Sequence, residues 1–123
     1  MPVPTVLVVD DEHALRGFVC TALERDGYTA LEASHPKEAI EIVRGYQGRI
    51  DLVLTDVHMP DMCGTELVPL LLARRPGMRV LYMSGFLDEI PPGDVVPLLE
   101  KPFTVAALRL AVERALSEAR VAA

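Results

Sequence analysis

The stretch that most constrains this chain is Leu52-Val53-Leu54-Thr55-Asp56-Val57-His58-Met59-Pro60-Asp61-Met62-Cys63-Gly64. Leu52 to Leu54 is a near-continuous apolar run, which suits a strand covered on both faces, as in a parallel sheet flanked by helices. The run stops at a carboxylate and a loop punctuated by Pro60 and Gly64. Open α/β sheets bind ligands just outside the carboxyl ends of their strands, so Asp56 is the expected functional centre. An aspartate before a turn is also ordinary loop chemistry, so other strand ends must supply partners.

Other segments repeat the pattern. Thr5 to Asp10 (TVLVVD) is a β-branched apolar run closed by Asp10-Asp11-Glu12. Leu15, Phe18, Val19, Ala22 and Leu23 then recur at helical spacing toward the core, with Gly27 as a left-handed cap. Tyr28 to Ala33 is more mixed and reads as an edge strand. Ser34-His35-Pro36 opens a second helix to about Arg44 on the stripe Ala39, Ile40 and Val43. After Gly64, Thr65 is expected to cap a third helix carrying Leu67, Leu70 and Leu71, loosened or bent near Val68 by Pro69. Arg79 to Ser84 (RVLYMS) is another buried strand and Val95 to Glu100 a short last one. Thr104 then caps a final helix with Val105, Leu108, Val112, Ala115 and Leu116 along one face.

Strands alternating with helices predict a parallel sheet with right-handed crossovers and helices on both faces. The expected fold is an α/β three-layer sandwich with five strands in the order 2-1-3-4-5, whose switch point brings Asp10, Asp11 and Asp56 together. Pro91, Pro92, Gly93 and Pro97 leave little room for a helix between Phe86 and Pro97, so the fourth helix is expected to be short or missing. At 123 residues, residues 1–123 are expected to form one domain.

A net charge of −6 and a pI near 5.0 argue against a nucleic-acid partner. No run reaches the length of a membrane span and no basic-then-apolar leader appears at the amino end, so a cytoplasmic protein is expected. Cys20 in a helix and Cys63 in a loop have no metal-ligand spacing, and neither a disulfide nor zinc is expected.

Three carboxylates converging at one sheet edge repel each other unless a cation compensates. Oxygen ligands without His or Cys suit Mg²⁺, which takes few protein ligands and completes its shell with water and phosphate oxygens. Lys101 at the fifth strand end adds a fixed positive charge, and Ser84 at the fourth a hydroxyl donor. Asp56 is then placed as a nucleophile toward phosphorus. Each residue has a blander reading: Asp10, Asp11 and Glu12 can begin a helix, Ser84-Gly85 can be a turn, Lys101 a solvated lysine, and His13, His35 and His58 loop or surface residues. The combination is what speaks against coincidence, since acid pair, acid, hydroxyl and lysine fall in order at four strand ends.

Through VLVVDDE, LVLTDVHMPDMCG, VLYMSG and LLEKPF the chain resembles the receiver domains of bacterial two-component response regulators, both stand-alone and fused to hybrid histidine kinases. The resemblance implies that Asp56 is the phosphoacceptor, Ser84 the switch hydroxyl and Lys101 the phosphoryl-contacting lysine. It implies Mg²⁺ held directly by Asp11, Asp56 and the backbone carbonyl of His58, with Asp10 acting through water. It also implies a cis Lys101-Pro102 bond, and as partner a sensor histidine kinase or histidine phosphotransfer domain docking beside the first helix.

Two features depart from that pattern. Leu98 stands where receivers usually carry a switch aromatic, and the Ser84 to Lys101 interval is short. A monomer or weak dimer that does not dimerise through this face is therefore expected. Phe86 is expected to slow hydrolysis of the phosphoryl group by covering the mouth of the site. Two other functions share part of this pattern. A haloacid-dehalogenase-like phosphatase needs an aspartate two residues after its nucleophile, where this chain has His58. A receiver-fold scaffold that accepts no phosphate does not account for the intact acid pair and lysine.

Overall fold

The computed structural model describes residues 3–85 and 98–117. The expectations for the fourth helix, for Phe86 and for the first half of the last strand lie outside the described residues.

Five strands form one parallel sheet: β1 (Thr5–Val9), β2 (Thr29–Ala33), β3 (Leu52–Asp56), β4 (Arg79–Ser84) and β5 (Leu98–Glu100). Their order is β2-β1-β3-β4-β5, as the alternation of elements predicts. Four helices are described: α1 (His13–Arg25), α2 (Pro36–Gly45), α3 (Gly64–Arg74) and α4 (Val105–Ser117). Strand alternation sends side chains to two separate cores. Leu7, Val9, Val53 and Tyr82 pack with Ala39 and Val43 of α2 and Leu67 and Leu71 of α3. Val6, Val8, Leu52, Leu54, Leu81, Met83 and Leu99 pack with Val19, Cys20 and Leu23 of α1 and Leu108 and Val112 of α4. Burying a Leu or Val side chain contributes about 1.5–3 kcal/mol, so both faces of the sheet are strongly specified.

Helix ends follow local chemistry, with several corrections to the sequence reading. Gly27 takes φ +90°, and the amides of Gly27 and Tyr28 donate to the carbonyls of Glu24 and Leu23, a Schellman closure of α1. Ahead of α2, the capping side chain is His35, whose Nδ1 accepts from the Glu38 amide at 3.2 Å. Glu38 in turn accepts from the Ser34 amide and hydroxyl at 2.6 and 3.0 Å.

The cap of α3 is Cys63 instead of Thr65, and the Glu66 carboxylate accepts from the Cys63 amide at 3.0 Å. With that first turn tied down, α3 runs unbroken through Pro69. Thr104 does cap α4, its hydroxyl accepting from the Ala107 amide at 3.0 Å. Phe18 and Val105, expected in the core, are 42% and 41% exposed. Phe18 instead meets Phe103 at a ring separation of 6.4 Å.

The register brings the chemistry level. Val9 pairs with both Ala33 and Thr55, Asp56 with Met83, and Ser84 with Glu100. The ladder continues one step past the strand ends, through Asp10 N–H to Ala33 at 3.1 Å, Val57 N–H to Met83 at 2.9 Å and Lys101 N–H to Ser84 at 2.9 Å. Asp10, Asp56, Ser84 and Lys101 are thereby fixed by the sheet itself.

Candidate functional site

Asp10 continues the side-chain alternation of Val6 and Val8, and Asp56 that of Leu52 and Leu54, so both carboxylates rise on one side of the sheet above the carboxyl end. Asp10 is fully buried and Asp56 nearly so, whereas Asp11 is exposed. Carboxylate oxygens of Asp10, Asp11 and Asp56 all lie within 4.8 Å of one another. The three acids expected to meet at the switch point do so.

Lys101 enters from the end of β5, just ahead of a cis bond to Pro102. Its ammonium donates to Asp56 Oδ2 at 2.9 Å and stands 3.6 Å from Asp10 Oδ2. Asp56 Oδ1 accepts from the His58 amide at 3.2 Å, and Asp10 Oδ1 from the Glu12 amide at 2.9 Å. Asp10 Oδ2 is buried without a hydrogen-bond partner, an arrangement with a substantial desolvation cost. Burial pushes the Asp10 carboxyl above the ordinary 3.8, against the pull of the Glu12 amide and the Lys101 charge. For Lys101, burial disfavours the ammonium, but the hydrogen bond it donates to Asp56 and the charges of Asp10, Asp56 and Glu12 outweigh it and raise its pKa above 10.5. Ser84 is fully buried at the end of β4, on the same side of the sheet as Tyr82.

This donor set fits Mg²⁺. It is all oxygen, two members are held by the sheet, and one buried carboxylate oxygen is left without a hydrogen bond. One ammonium is too little charge for three acids, so a hard divalent cation would complete the balance.

Two residues to which the sequence assigned no part in the site also shape it. Gly64 packs against the backbone under Asp56: a Cβ there would collide with the Asp56 carbonyl and come within 3.2 Å of Val57 Cα. The Gly64 amide also donates to Val57 at 2.7 Å. Gly64 therefore lets the loop after β3 fold back beneath the acceptor strand, and its place at the end of the Pro/Gly loop was the available signal. Arg16 of α1 donates to the Asp10 carbonyl at 2.8 Å. No spacing rule marks it, because its targets are a main-chain oxygen and a residue on another strand. Of the histidines, His58 reaches the acid cluster through its amide. His13 begins α1 and His35 caps α2.

Known proteins resemble this chain in sequence and fold. Sensor kinase CckA of Brucella abortus is 34% identical over 93% of this chain and 13% of its own length. The transcriptional regulator NtrC of a Bradyrhizobium strain is 37% identical over 96% of the chain and 25% of its own. The chain thus spans a quarter or less of these relatives. Sporulation initiation phosphotransferase F of Bacillus subtilis is 30% identical over 90% of this chain and 92% of its own length. Among solved structures, the CckA receiver domain is 31% identical with a TM-score of 0.79, covering 91% of this chain and 98% of its own. The chemotaxis protein CheY4 of Vibrio cholerae is 26% identical with a TM-score of 0.82, covering 94% of this chain and 100% of its own. With the response regulator receiver domain model matching residues 6–113, this chain belongs to the receiver domain family of two-component signalling, whose common function is to accept a phosphoryl group.

Proposed function

We propose that Asp56 is the phosphoacceptor of a single receiver domain spanning residues 1–123. The observation that carries this reading is the Asp56 carboxylate, held at the end of β3 between the His58 amide and the Lys101 ammonium, with the Asp10 and Asp11 carboxylates within 4.8 Å. An Asp56 oxygen attacks the phosphorus of a phosphohistidine donor in line. An O–P bond forms as the N–P bond breaks, and the bond electrons leave with the imidazole nitrogen. Lys101 neutralises charge on the transferring group, and the Ser84 hydroxyl donates to an equatorial oxygen.

Asp11, Asp56 and the His58 backbone carbonyl would hold Mg²⁺ directly, and Asp10 would hold it through water. When bound, the ion neutralises phosphoryl oxygen charge and orients the group. The domain acts as a switch that modifies itself and slowly sheds its phosphate; it turns over no separate substrate. Its donor is a sensor histidine kinase or a histidine phosphotransfer domain seated beside α1, in the cytoplasm, and the domain works as a monomer or weak dimer. No helix among the described residues is long and apolar enough to cross a membrane. Incubation with Mg²⁺ and acetyl phosphate, followed by intact mass, tests the reading. One added phosphoryl group on the wild type and none on Asp56→Asn is the expected result, and equal labelling of both refutes it.

A further inference from the structure

Arg16 sits in the first turns of α1 with its side chain only 11% exposed, and each of its three guanidinium nitrogens has a partner. Nε donates to Glu32 Oε1 on β2 at 3.0 Å and Nη1 to the Asp10 carbonyl at 2.8 Å. Nη2 lies 3.1 Å from His13 Nδ1, which must be the acceptor because a guanidinium has only donors. The Asp10 main chain is consequently gripped on both sides, by its own N–H to Ala33 at 3.1 Å and by Arg16 on its carbonyl. Both grips trace to adjacent residues of one strand, Ala33 directly and Glu32 through Arg16.

The carbonyl that Arg16 holds belongs to the peptide plane between Asp10 and Asp11. Asp11 is exposed, so packing does little to aim its carboxylate, and the orientation of that plane decides whether it points at Asp56. We infer that Arg16 is a positioning residue for the metal site, fixing the Asp10-Asp11 plane so that the Asp11 carboxylate converges with those of Asp10 and Asp56. This rests on the Mg²⁺ reading given above. The plainer alternative is a staple between α1 and β2. The Arg16–Glu32 pair is half-exposed on the Glu32 side, where an ion pair adds little stability, and Nη1 is aimed at the acid pair's backbone. A fork that spans two elements and a carbonyl is a task for arginine; lysine offers the charge without the geometry.

The test uses the whole chain, unphosphorylated, with Arg16→Gln, Arg16→Lys and Glu32→Gln. Calorimetric Mg²⁺ titration reads affinity, and amide NMR spectra without metal read the Asp11 and Glu12 backbone. Both Arg16 variants should bind Mg²⁺ roughly 10–100-fold more weakly, the usual effect of losing a partner that orients a metal ligand. Glu32→Gln should weaken binding by less, and all three should displace the Asp11 and Glu12 amide signals before any metal is added.

Wild-type affinity in both Arg16 variants overturns the inference and leaves the metal site standing. Full rescue by Arg16→Lys alone also overturns it, because charge and not the fork would then be at work. A wild type that fails to bind Mg²⁺ overturns the metal-site reading and this inference with it. If the Arg16 variants do not fold, Glu32→Gln decides: unchanged affinity and unchanged amide signals refute the positioning role.

Discussion

The two ends of the sheet treat aspartate in opposite ways. At the amino end, Asp51 Oδ2 accepts from the Thr5 amide at 2.8 Å and Oδ1 pairs with Arg49 at 2.8 Å. Its own amide and carbonyl bond Thr5 and Arg79, each at 2.9 Å. Every polar atom of that residue is used, three of them in bonds to Thr5 of β1 and to Arg79 of β4 and the fourth in the Arg49 pair. At the carboxyl end, three carboxylates crowd one ammonium and Asp10 keeps a buried oxygen with no hydrogen bond. Local structure would favour the first arrangement everywhere. The second persists because the sheet, with two cores behind it, imposes it, and a crowded acid cluster of this kind is the electrostatic signature on which the proposed function rests.

The contrast predicts that acids at the carboxyl end can be removed at no cost to the fold but at full cost to function. Asp56→Asn is expected to eliminate phosphorylation by acetyl phosphate, read by intact mass, with an unchanged far-UV circular dichroism spectrum. Asp11→Ala is expected to weaken Mg²⁺ at least about tenfold in a calorimetric titration, while the metal-free protein melts no lower than wild type because a like charge has gone. A lower melting temperature for Asp11→Ala would mean that the acid serves the fold, and the two ends would no longer differ.

The amino end should behave in reverse. Asp51→Ala removes a charged hydrogen-bond acceptor from the Thr5 amide, a loss of about 1.5–3 kcal/mol. Urea denaturation should show that loss equally with and without Mg²⁺, and the folded variant should take up phosphate like wild type. A phosphorylation defect in folded Asp51→Ala would show that the two ends are coupled.

How legible each part was follows from which interactions carry it. Strands and their order were readable because buried runs such as TVLVV and RVLYMS constrain a whole layer, and the acids were readable because each sits where such a run stops. Caps were less so. Thr65 has the better capping side chain, but the chain turns into α3 two residues earlier, where Gly64 must tuck under Asp56. Phe18 and Val105 keep helical periodicity yet lie at the edge of their stripes, and a period cannot tell a stripe's centre from its margin. Arg16 was invisible for a different reason, since its partners are fixed by the crossing of α1 over β2 and not by sequence distance.

The smallest expected effect is the most direct measure of the carboxyl end's strain. Burial holds the Asp10 carboxyl above 3.8 in the folded chain, so at neutral pH folding works against the charged form. That penalty fades as pH falls through the folded pKa and is gone below the unfolded value of 3.8. Asp10→Asn keeps the Oδ1 acceptor for the Glu12 amide but carries no charge to desolvate. Without Mg²⁺ it should therefore be more stable than wild type at pH 7, and the advantage should shrink as the pH is lowered toward 4, followed by urea denaturation at each pH. Lys101 gives the opposite dependence. Its pKa is raised, so its contribution is complete below 10.5 and is lost only as the pH climbs through the folded value, well outside this window. A gap between wild type and Asp10→Asn that stays constant from pH 7 to 4 would show that Asp10 is not strained. The asymmetry between the two ends would then reduce to the exposed Asp11 and the acceptor itself.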